Sequence, residues 1–193
     1  MHRLYSPGAF GTVSPIQPTP PRGKLSPMVP LAFDPIEEAG RQWRKHWGAR
    51  AVAPMMAVTS VMRVQQIWLA RLNEALTPFN LTFARYEALM LLYLTRTGSL
   101  PMGKIGARLQ VHPTSVTNLI DGLEAADYAK RVPHPDDRRT TLAAITPAGR
   151  EVAEAATEAL NQIRFGTGRL AKPDLDAMTA VLTDVRRDAG DFG

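Results

Sequence analysis

The chain has 193 residues, with 23 Lys or Arg against 18 Asp or Glu, which gives a formal net charge of +5. This length is enough for one hydrophobic core, and the basic balance permits an anionic partner without demonstrating one. The sequence contains no cysteine, which excludes disulfides, thiolate metal sites and cysteine-based redox sensing. No apolar run approaches the roughly 20 residues of a membrane span, and no secretory signal is visible, so we expect a cytoplasmic protein without a membrane partner.

Charge is unevenly distributed along the chain. Residues 1–50 carry 7 basic and 3 acidic side chains, whereas residues 151–193 carry 5 basic and 8 acidic ones. A polyanion is attracted to a basic surface and repelled by an acidic one. We therefore expect any nucleic-acid-binding surface to lie upstream of residue 151.

Proline dominates the beginning of the chain. Residues 1–33 hold seven of the 16 prolines. Such a run forms neither a regular helix nor a paired strand. Two interpretations stay open: residues 1–33 are a disordered Pro-rich arm, or they reflect an over-long gene model whose true start is Met28 or a later Met.

An extra N-terminal helix is predicted over residues 34–50. Asp34 is suited to its N-cap and Pro35 to its first position. Trp43 and Trp47 are four residues apart, so they share one face of the helix. We expect this face to pack against the body of the protein.

Four helices follow in the predicted order. Apolar residues at helical spacing run from 54 to 79, and the next helix, 82–98, is apolar most of the way round, which predicts a buried central position. Shorter helices are predicted over 101–109 and 113–126. Two short helices joined by about three residues are typical of a helix-turn-helix.

A β-hairpin is predicted directly after this motif. Residues 128–132 and 139–145 read as its strands, and the His-Pro-Asp-Asp sequence at 134–137 favours a turn between them. A hairpin that follows a helix-turn-helix is a wing. A long helix is then predicted over 147–165, and the last helix begins at residue 172.

Three local sequences in this arrangement resemble the MarR family of transcriptional regulators. Residues 111–118 (VHPTSVTN) resemble the start of its recognition helix, residues 136–139 (DDRR) its wing tip, and residues 142–149 (LAAITPAG) its wing exit. The resemblance covers roughly residues 54–190. Asp127 stands where the family usually has a glycine, and we expect a left-handed backbone there, which Asp tolerates better than most residues.

The resemblance implies a fold that is mainly α with a small β-hairpin wing: a winged helix-turn-helix joined to a helical dimerisation region. The DNA-binding lobe would be residues 99–146, and the dimerisation region residues 51–98 and 147–193. A homodimer would join through Val52–Trp68 and Ile163–Val185. Its DNA partner would be a pseudo-palindromic operator with half-sites roughly 10 bp apart.

The first two turns of the second short helix would read the DNA, since this end of a recognition helix enters the major groove. Asparagine makes a bidentate contact to adenine, and hydroxyl groups bind phosphates or base edges. Proline at the first position fixes the helix start. The candidate residues are Pro113, Thr114, Ser115, Thr117 and Asn118.

Arginine at the wing tip would enter a narrow minor groove, where the negative potential attracts a guanidinium. The resemblance implies that Arg139 is this residue, that Asp137 holds its guanidinium, and that Arg138 faces a phosphate. The alternative is a solvated turn with local ion pairs. Further candidates for phosphate contacts, each as readily explained as surface charge, are Lys104, Arg108, Lys130 and Arg131.

No catalytic constellation is found in the sequence. The four histidines are scattered and lack metal-ligand spacing, and no Gly-rich phosphate loop is present. The pair Asp136 and Asp137 lies next to two arginines, which indicates a wing rather than an acid–base site. We therefore expect neither enzymatic activity nor a cofactor.

Members of the resembled family commonly bind small aromatic or phenolic acids between the dimerisation helices and the DNA-binding lobe. The predicted function is therefore that of a repressor released by such an effector, and a ligand-independent architectural or constitutive DNA-binding regulator is the alternative. Candidate effector residues, with core packing or surface snorkelling as the competing interpretation of each, are Arg63, Trp68, Arg85, Tyr86 and Tyr93.

Overall fold

The computed structural model describes residues 31–137 and 139–193. The predicted Pro-rich arm, residues 1–33, therefore lies almost wholly outside the described residues, as does Arg138. The fold class predicted from the sequence, mainly α with a small β wing, is confirmed. The helices are α1 (Pro35–Trp47), α2 (Val52–Leu76), α3 (Phe83–Tyr93), α4 (Met102–Leu109), α5 (Pro113–Ala125), α6 (Pro147–Gln162) and α7 (Lys172–Asp188), and the strands are β1 (Ser99–Pro101), β2 (Ala129–Pro133) and β3 (Thr141–Ile145).

Short polar side chains set the starts of three helices. The Asp34 carboxylate accepts the backbone N–H of Ile36 at 2.8 Å at the start of α1. Thr82 caps α3 and Thr146 caps α6 through their hydroxyl groups. Each acceptor satisfies an amide that has no partner within its helix.

The three strands form one antiparallel sheet in the order β1-β3-β2. Leu100 on β1 pairs with Ala143 on β3, and Val132 on β2 pairs with Leu142. The sequence did not predict β1, because a three-residue strand that ends in proline is too short to show an alternating pattern. Strand β1 leads directly into α4, so the sheet lies next to the helix-turn-helix.

Two predicted helices end earlier than expected. Helix α3 stops at Tyr93, because the N–H of Gly98 donates to the carbonyl of Thr95 at 2.8 Å and closes a turn there. Helix α6 stops at Gln162, and Phe165 then adopts a left-handed φ of 50°. The spacing of apolar residues in the sequence does not show where such turns end a helix.

The core joins the two lobes of the chain. Its fully buried members come from α2, α3, α4, α5, α6 and β3, so the helix-turn-helix packs on the same apolar interior as the long helices. The largest of these side chains are Leu76, Leu89, Leu92, Ile105, Val116, Ile120, Leu123 and Leu160.

Three helices expose apolar side chains. Trp47 on α1 is 65% exposed and lies against the ring of Trp43, so the prediction that its side chain packs on the body of the protein is wrong. Val58 and Met62 on α2 are 64% and 57% exposed, and Val181 and Val185 on α7 are 64% and 61% exposed. Helix α7 buries none of its residues. Within the described part of the chain, no helix is long and apolar enough to cross a membrane.

Candidate nucleic-acid interface

Close packing of α4 against α5 builds the helix-turn-helix. A Cβ on Gly106 would lie 3.1 Å from Cγ2 of Val116, so glycine allows the two helices to approach. Gln110 ends α4 in a left-handed conformation with φ of 53°, and the N–H of Val111 donates to the carbonyl of Gly106 at 3.1 Å. This turn directs the chain into α5 within three residues.

Helix α5 presents a polar face to solvent. His112 caps it by accepting the N–H of Thr114 on Nδ1 at 3.3 Å, and the hydroxyl of Thr117 lies 3.3 Å from the carbonyl of Pro113. Among the described residues, Ser115 and Asn118 have no side-chain partner. All five predicted recognition residues are exposed, and they lie together on one face: Pro113, Thr114, Ser115, Thr117 and Asn118.

The wing turn is organised by Asp137. Its Oδ1 accepts the backbone N–H of Arg139 at 2.9 Å, and its Oδ2 accepts the hydroxyl of Thr140 at 2.7 Å. The hydroxyl of Thr140 and then the N–H of Arg139 lower the pKa of the Asp137 carboxyl. The sequence assigned this carboxylate to the guanidinium of Arg139; the structure instead places it on the backbone, because an Asp in a turn reaches the amide two residues later. Because these contacts hold residues 137–140 in the turn, β3 begins at Thr141 and not at residue 139 as predicted.

An ion-pair network fixes the wing to the recognition helix. The guanidinium of Arg131 on β2 donates to Oδ1 of Asp121 at 2.7 Å and pairs with the carboxylate of Glu124. The backbone N–H of Arg131 donates to Oε1 of Glu124 at 2.6 Å. The hydrogen bond with Asp121, opposed by burial and supported by both negative charges, raises the pKa of Arg131. The sequence predicted that Arg131 contacts a phosphate, but in the structure its guanidinium faces two carboxylates.

The base of the wing is joined to the start of α6. Thr146 donates its hydroxyl to the carbonyl of Asp127 at 2.6 Å and accepts the N–H of Gly149 at 2.9 Å. Its own N–H donates to the carbonyl of Tyr128 at 3.0 Å. A Cβ on Gly149 would overlap that same carbonyl. Asp127 has a φ of 59°, so the left-handed turn predicted there is confirmed.

An open groove lies between α4, α5 and the wing. It has a volume of about 630 Å³ and receives Lys104 from α4, Thr117 from α5 and Arg139 from the wing turn. Lys104, Arg108 and Lys130 are exposed. Arg131 also lines the groove, but its guanidinium is paired with Asp121 and Glu124. The side chains of Lys104 and Arg139 have no carboxylate partner among the described residues, so the groove combines two available cations with a hydroxyl of the recognition face, an arrangement suited to a polyanion.

The five predicted effector residues have different neighbours. Tyr86 is buried, with its hydroxyl 2.9 Å from that of Thr157, and Tyr93 donates to Glu154 at 2.8 Å, which raises the pKa of Tyr93. Both tyrosines therefore connect α3 to α6.

The other three effector candidates lie elsewhere. Trp68 lies beside Gly166 in the connection after α6, and NH1 of Arg63 donates to Gln66 at 3.1 Å. The guanidinium of Arg85 lies flat against Gly122 of the recognition helix, where a Cβ would overlap it. No group of three His, Asp or Glu side chains within residues 31–137 and 139–193 is arranged to hold a metal ion.

Sequence reasoning missed several residues that position the interface. Glu124 and Asp121 were not singled out in the sequence, although their spacing of three residues puts both on the face that meets β2. Gly106 and Gly122 inside predicted helices were the available signals for close approach. Nothing in the sequence pointed to Gln110.

Comparisons with known proteins agree with this geometry. The MarR family matches residues 79–140. The HTH-type transcriptional regulator YhbI of Bacillus subtilis (strain 168) is 33% identical over 119 residues, which are 62% of this chain and 72% of YhbI. The structure of Sco5413, a MarR family transcriptional regulator from Streptomyces coelicolor, is 48% identical, with a TM-score of 0.68 over 74% of this chain and 99% of Sco5413.

A third comparison concerns the fold alone. A MarR variant from E. coli, solved with operator DNA, is 21% identical, with a TM-score of 0.63 over 70% of this chain and 97% of that protein. The shared fold, the match to the family and the similarity to Sco5413 and to YhbI lead to one conclusion. The chain belongs to the MarR family of DNA-binding transcriptional regulators.

Proposed function

We propose that the protein is a homodimeric repressor that binds a pseudo-palindromic operator and is released by a small aromatic or phenolic acid. The observation that carries the DNA-binding part is the groove in which Lys104, Thr117 and Arg139 meet beside the exposed face of α5. This groove is open and its polar groups face solvent, as a surface for a long polyanion requires.

In this proposal α5 enters the major groove and reads bases directly. Asn118 is exposed and has no partner among the described residues, so its amide is available for a bidentate contact to adenine. Thr114 and Ser115 contribute hydroxyls at the first turn. Lys104 and Arg108 bind the flanking phosphates through charge, which positions the helix without specifying sequence.

The wing supplies the second contact of the proposal. Arg139 enters the minor groove, and its neighbour Arg138 binds a phosphate, as the sequence resemblance implies. Arg131 is left out of the contact surface, because its guanidinium is paired with Asp121 and Glu124. Its contribution is to hold the wing at a fixed angle to α5.

Homodimerisation is supported by the exposed valines and methionine of α2 and α7. A helix that buries none of its residues gains its stability from packing on a partner. The apolar faces that contain Val58 and Val181 would be covered by a second copy, in a two-fold arrangement that matches a palindromic site. Val181→Asp should therefore give monomers in light scattering at micromolar concentration, whereas Thr157→Val, a half-buried residue that contacts Tyr86 of the same chain, should leave the dimer intact.

In this proposal, a small acid also releases the protein from DNA. Arg85 is half-buried against the recognition helix, and its guanidinium has no hydrogen-bond or ion-pair partner among the described residues, so it is suited to the carboxylate of an acidic effector. The ligand-independent alternative is favoured by the engagement of the Tyr86 and Tyr93 hydroxyls within the protein.

Operator binding tests the DNA-binding proposal. Footprinting on DNA upstream of the protein's own coding region would supply the operator. Asn118→Ala and Thr114→Ala should each weaken operator binding by roughly 1–3 kcal/mol per lost base contact and leave random-sequence DNA unaffected. Asn161→Ala, an exposed helical asparagine on α6, is the matched control and should bind both as wild type does. Wild-type binding by both recognition variants would contradict the proposal.

The wing and the effector require separate measurements. Arg139→Lys should fail to restore binding on operators with A·T-rich flanks, because lysine is more strongly hydrated and lacks the planar fork, whereas Lys104→Ala should reduce the salt slope by about one unit. A panel of aromatic acids should release the wild type from DNA, and Arg85→Ala should resist release. If no acid in the panel acts, the ligand-independent regulator is the better description.

A further inference from the structure

The C-terminal end of α7 is closed by a well-defined cap. The N–H of Asp191 donates to the carbonyl of Arg186 at 3.0 Å, and the N–H of Gly190 donates to the carbonyl of Arg187 at 3.0 Å. Gly190 has a φ of 73°, the left-handed conformation that this pair of hydrogen bonds requires. The arrangement is a Schellman motif, which reverses the chain direction directly after the helix.

Side chains hold the reversed segment in place. Nε of Arg186 donates to Oδ2 of Asp191 at 2.5 Å, and the Asp191 side chain is only 17% exposed. The guanidinium carbons of Arg186 and Arg187 lie 5.2 and 5.6 Å from the centre of the Phe192 ring, which is cation–π distance. Residues 186–192, called the C-terminal clasp below, are thus ordered by an ion pair, two ring contacts and two backbone hydrogen bonds.

The clasp is joined to the helix-turn-helix by a hydrogen bond. Nε2 of Gln110 donates to the backbone carbonyl of Asp191 at 3.1 Å, although the two residues are 81 positions apart in the sequence. Gln110 is the left-handed residue that ends α4, and only two residues separate it from Pro113 at the start of α5. The contact therefore joins the end of a helix outside the DNA-binding lobe to the turn that aims the recognition helix.

Helix α7 has no buried residue in the single chain, so its packing does not restrain its distal end. The clasp supplies such a restraint, because a glutamine donor and a fixed carbonyl define a direction as well as a distance. A rotation of the DNA-binding lobe relative to α7 would strain this hydrogen bond, because the bond joins the two.

We propose that Gln110 is a positioning residue for DNA recognition, which acts through the clasp by fixing the turn before α5 relative to α7. This inference rests on the proposed dimeric operator binding, because α7 would then be anchored in the dimer and the clasp would set the separation of the two recognition helices. Gln110 exerts this effect on half-site spacing without a contact to a base.

A double-mutant cycle on the full dimer tests the proposal. The variants are Gln110→Ala, a chain truncated after Ala189, and the two combined, with Gln162→Ala on α6 as the matched glutamine control. Each variant is titrated with the footprinted operator and with operators whose half-sites are one base pair closer or further apart. Light scattering verifies the dimer in each case.

We expect Gln110→Ala and the truncation each to weaken operator binding about three- to tenfold, the range of one lost hydrogen bond. The combined variant should be no weaker than either alone, and all three should discriminate less between spacings. Gln162→Ala should behave as wild type. Multiplicative losses would show that Gln110 acts on DNA directly and would overturn the proposal, as would unchanged spacing preference.

Hydrogen exchange provides a test that does not depend on DNA. Amide protons of residues 110–112 should exchange faster in the truncated chain than in the full chain, because the turn loses its external restraint. If the exchange rates of these amides are the same in both chains, the clasp does not restrain the turn and the proposal is wrong, even if the protein binds the operator. Absence of operator binding by the wild-type protein, with faster exchange in the truncated chain, would instead reject the proposed function and leave the clasp in place.

Discussion

Arg131 and Glu124 are joined at two points, because the backbone N–H of Arg131 donates to Oε1 of Glu124 while its guanidinium pairs with the same carboxylate. One residue is on strand β2 and the other near the end of recognition helix α5. Their side chains are 30% and 31% exposed, so water screens the pair only in part. The wing and the recognition helix consequently behave as one rigid unit.

Removal of the arginine should weaken this unit. We expect Arg131→Ala to lower the free energy of unfolding by about 1–3 kcal/mol, because it leaves Glu124 without its charged donor. Arg131→Lys should recover only part of this loss, since an ammonium group lacks the fork that reaches two carboxylates. Urea denaturation measures both variants. In a Glu124→Gln background the loss should be smaller; an equal loss there would mean that the two residues are not coupled.

Substitution of Asp137 should distinguish a turn acceptor from a charge partner. Asp137→Asn retains an oxygen for the N–H of Arg139 and can donate its amide to the Thr140 hydroxyl, so operator affinity should stay within about threefold of the wild type. Asp137→Ala removes the acceptor, and affinity should fall by roughly tenfold, about 1.4 kcal/mol. Both variants lose the same charge. Equal losses by both would restore the idea that the carboxylate holds the guanidinium of Arg139.

The wing turn should resist acid down to low pH. The pKa of Asp137 in the folded protein lies below its ordinary value of 3.8, so its stabilising contribution is complete above that value and disappears as the pH falls through the folded pKa. The Arg139 amide resonance in a pH series of NMR spectra should therefore show an acid titration with a midpoint below 3.8. A midpoint above 3.8 would show that the two hydrogen bonds do not favour the ionised form.

Asp127 should be a site of mild backbone strain. Its φ of 59° costs an L-residue roughly 1–2 kcal/mol, whereas glycine adopts it freely but loses more chain entropy. Asp127→Gly should raise the free energy of unfolding by about 0.5–1 kcal/mol, and Asp127→Val should lower it by at least as much. Thermal or urea unfolding measures both. A destabilised glycine variant would mean that the Asp127 side chain stabilises the turn in its own right.

Gly149 should tolerate no side chain. The carbonyl of Tyr128 occupies the place of a Cβ, and this carbonyl already accepts the N–H of Thr146, so backbone must move to relieve the overlap. We expect Gly149→Ala to lower the free energy of unfolding by about 1–3 kcal/mol. The control is Gly103→Ala in α4, which meets no atom within 4 Å and should gain up to about 1 kcal/mol from helix propensity. Similar effects at both glycines would refute the packing argument.

The helices and the hairpin could be predicted because their signals are local. Asp34, Thr82 and Thr146 mark helix starts that the structure reproduces. The exposed face from Thr114 to Asn118 follows from helical spacing, since the buried Val116 and Ile120 fix which side faces inward.

Other features could not be predicted because they join residues distant in the sequence. The partner of Arg131 is determined by how β2 packs on α5, and that of Gln110 by the path of a helix 60 residues later. The contacts of Asp137 in the structure differ from the predicted one for a different reason. Family resemblance supplied a charge partner, while the shorter reach of an Asp side chain favours the amide two residues away.

The junction at Thr146 couples the wing to helix α6, so that a small tilt of the helix displaces the tip of the wing. Thr146 ties the Asp127 turn to the first turn of α6, and Gly149 leaves no gap in which the two can slide, so a tilt of α6 is transmitted to the hairpin. Five residues of β2 extend roughly 16 Å, so a tilt of about 5° displaces the wing tip by roughly 1.4 Å. That displacement is half the length of a hydrogen bond. A ligand or partner that tilts the long helices by a few degrees would therefore change how deeply Arg139 enters the minor groove in the proposed complex, without any contact near the wing itself.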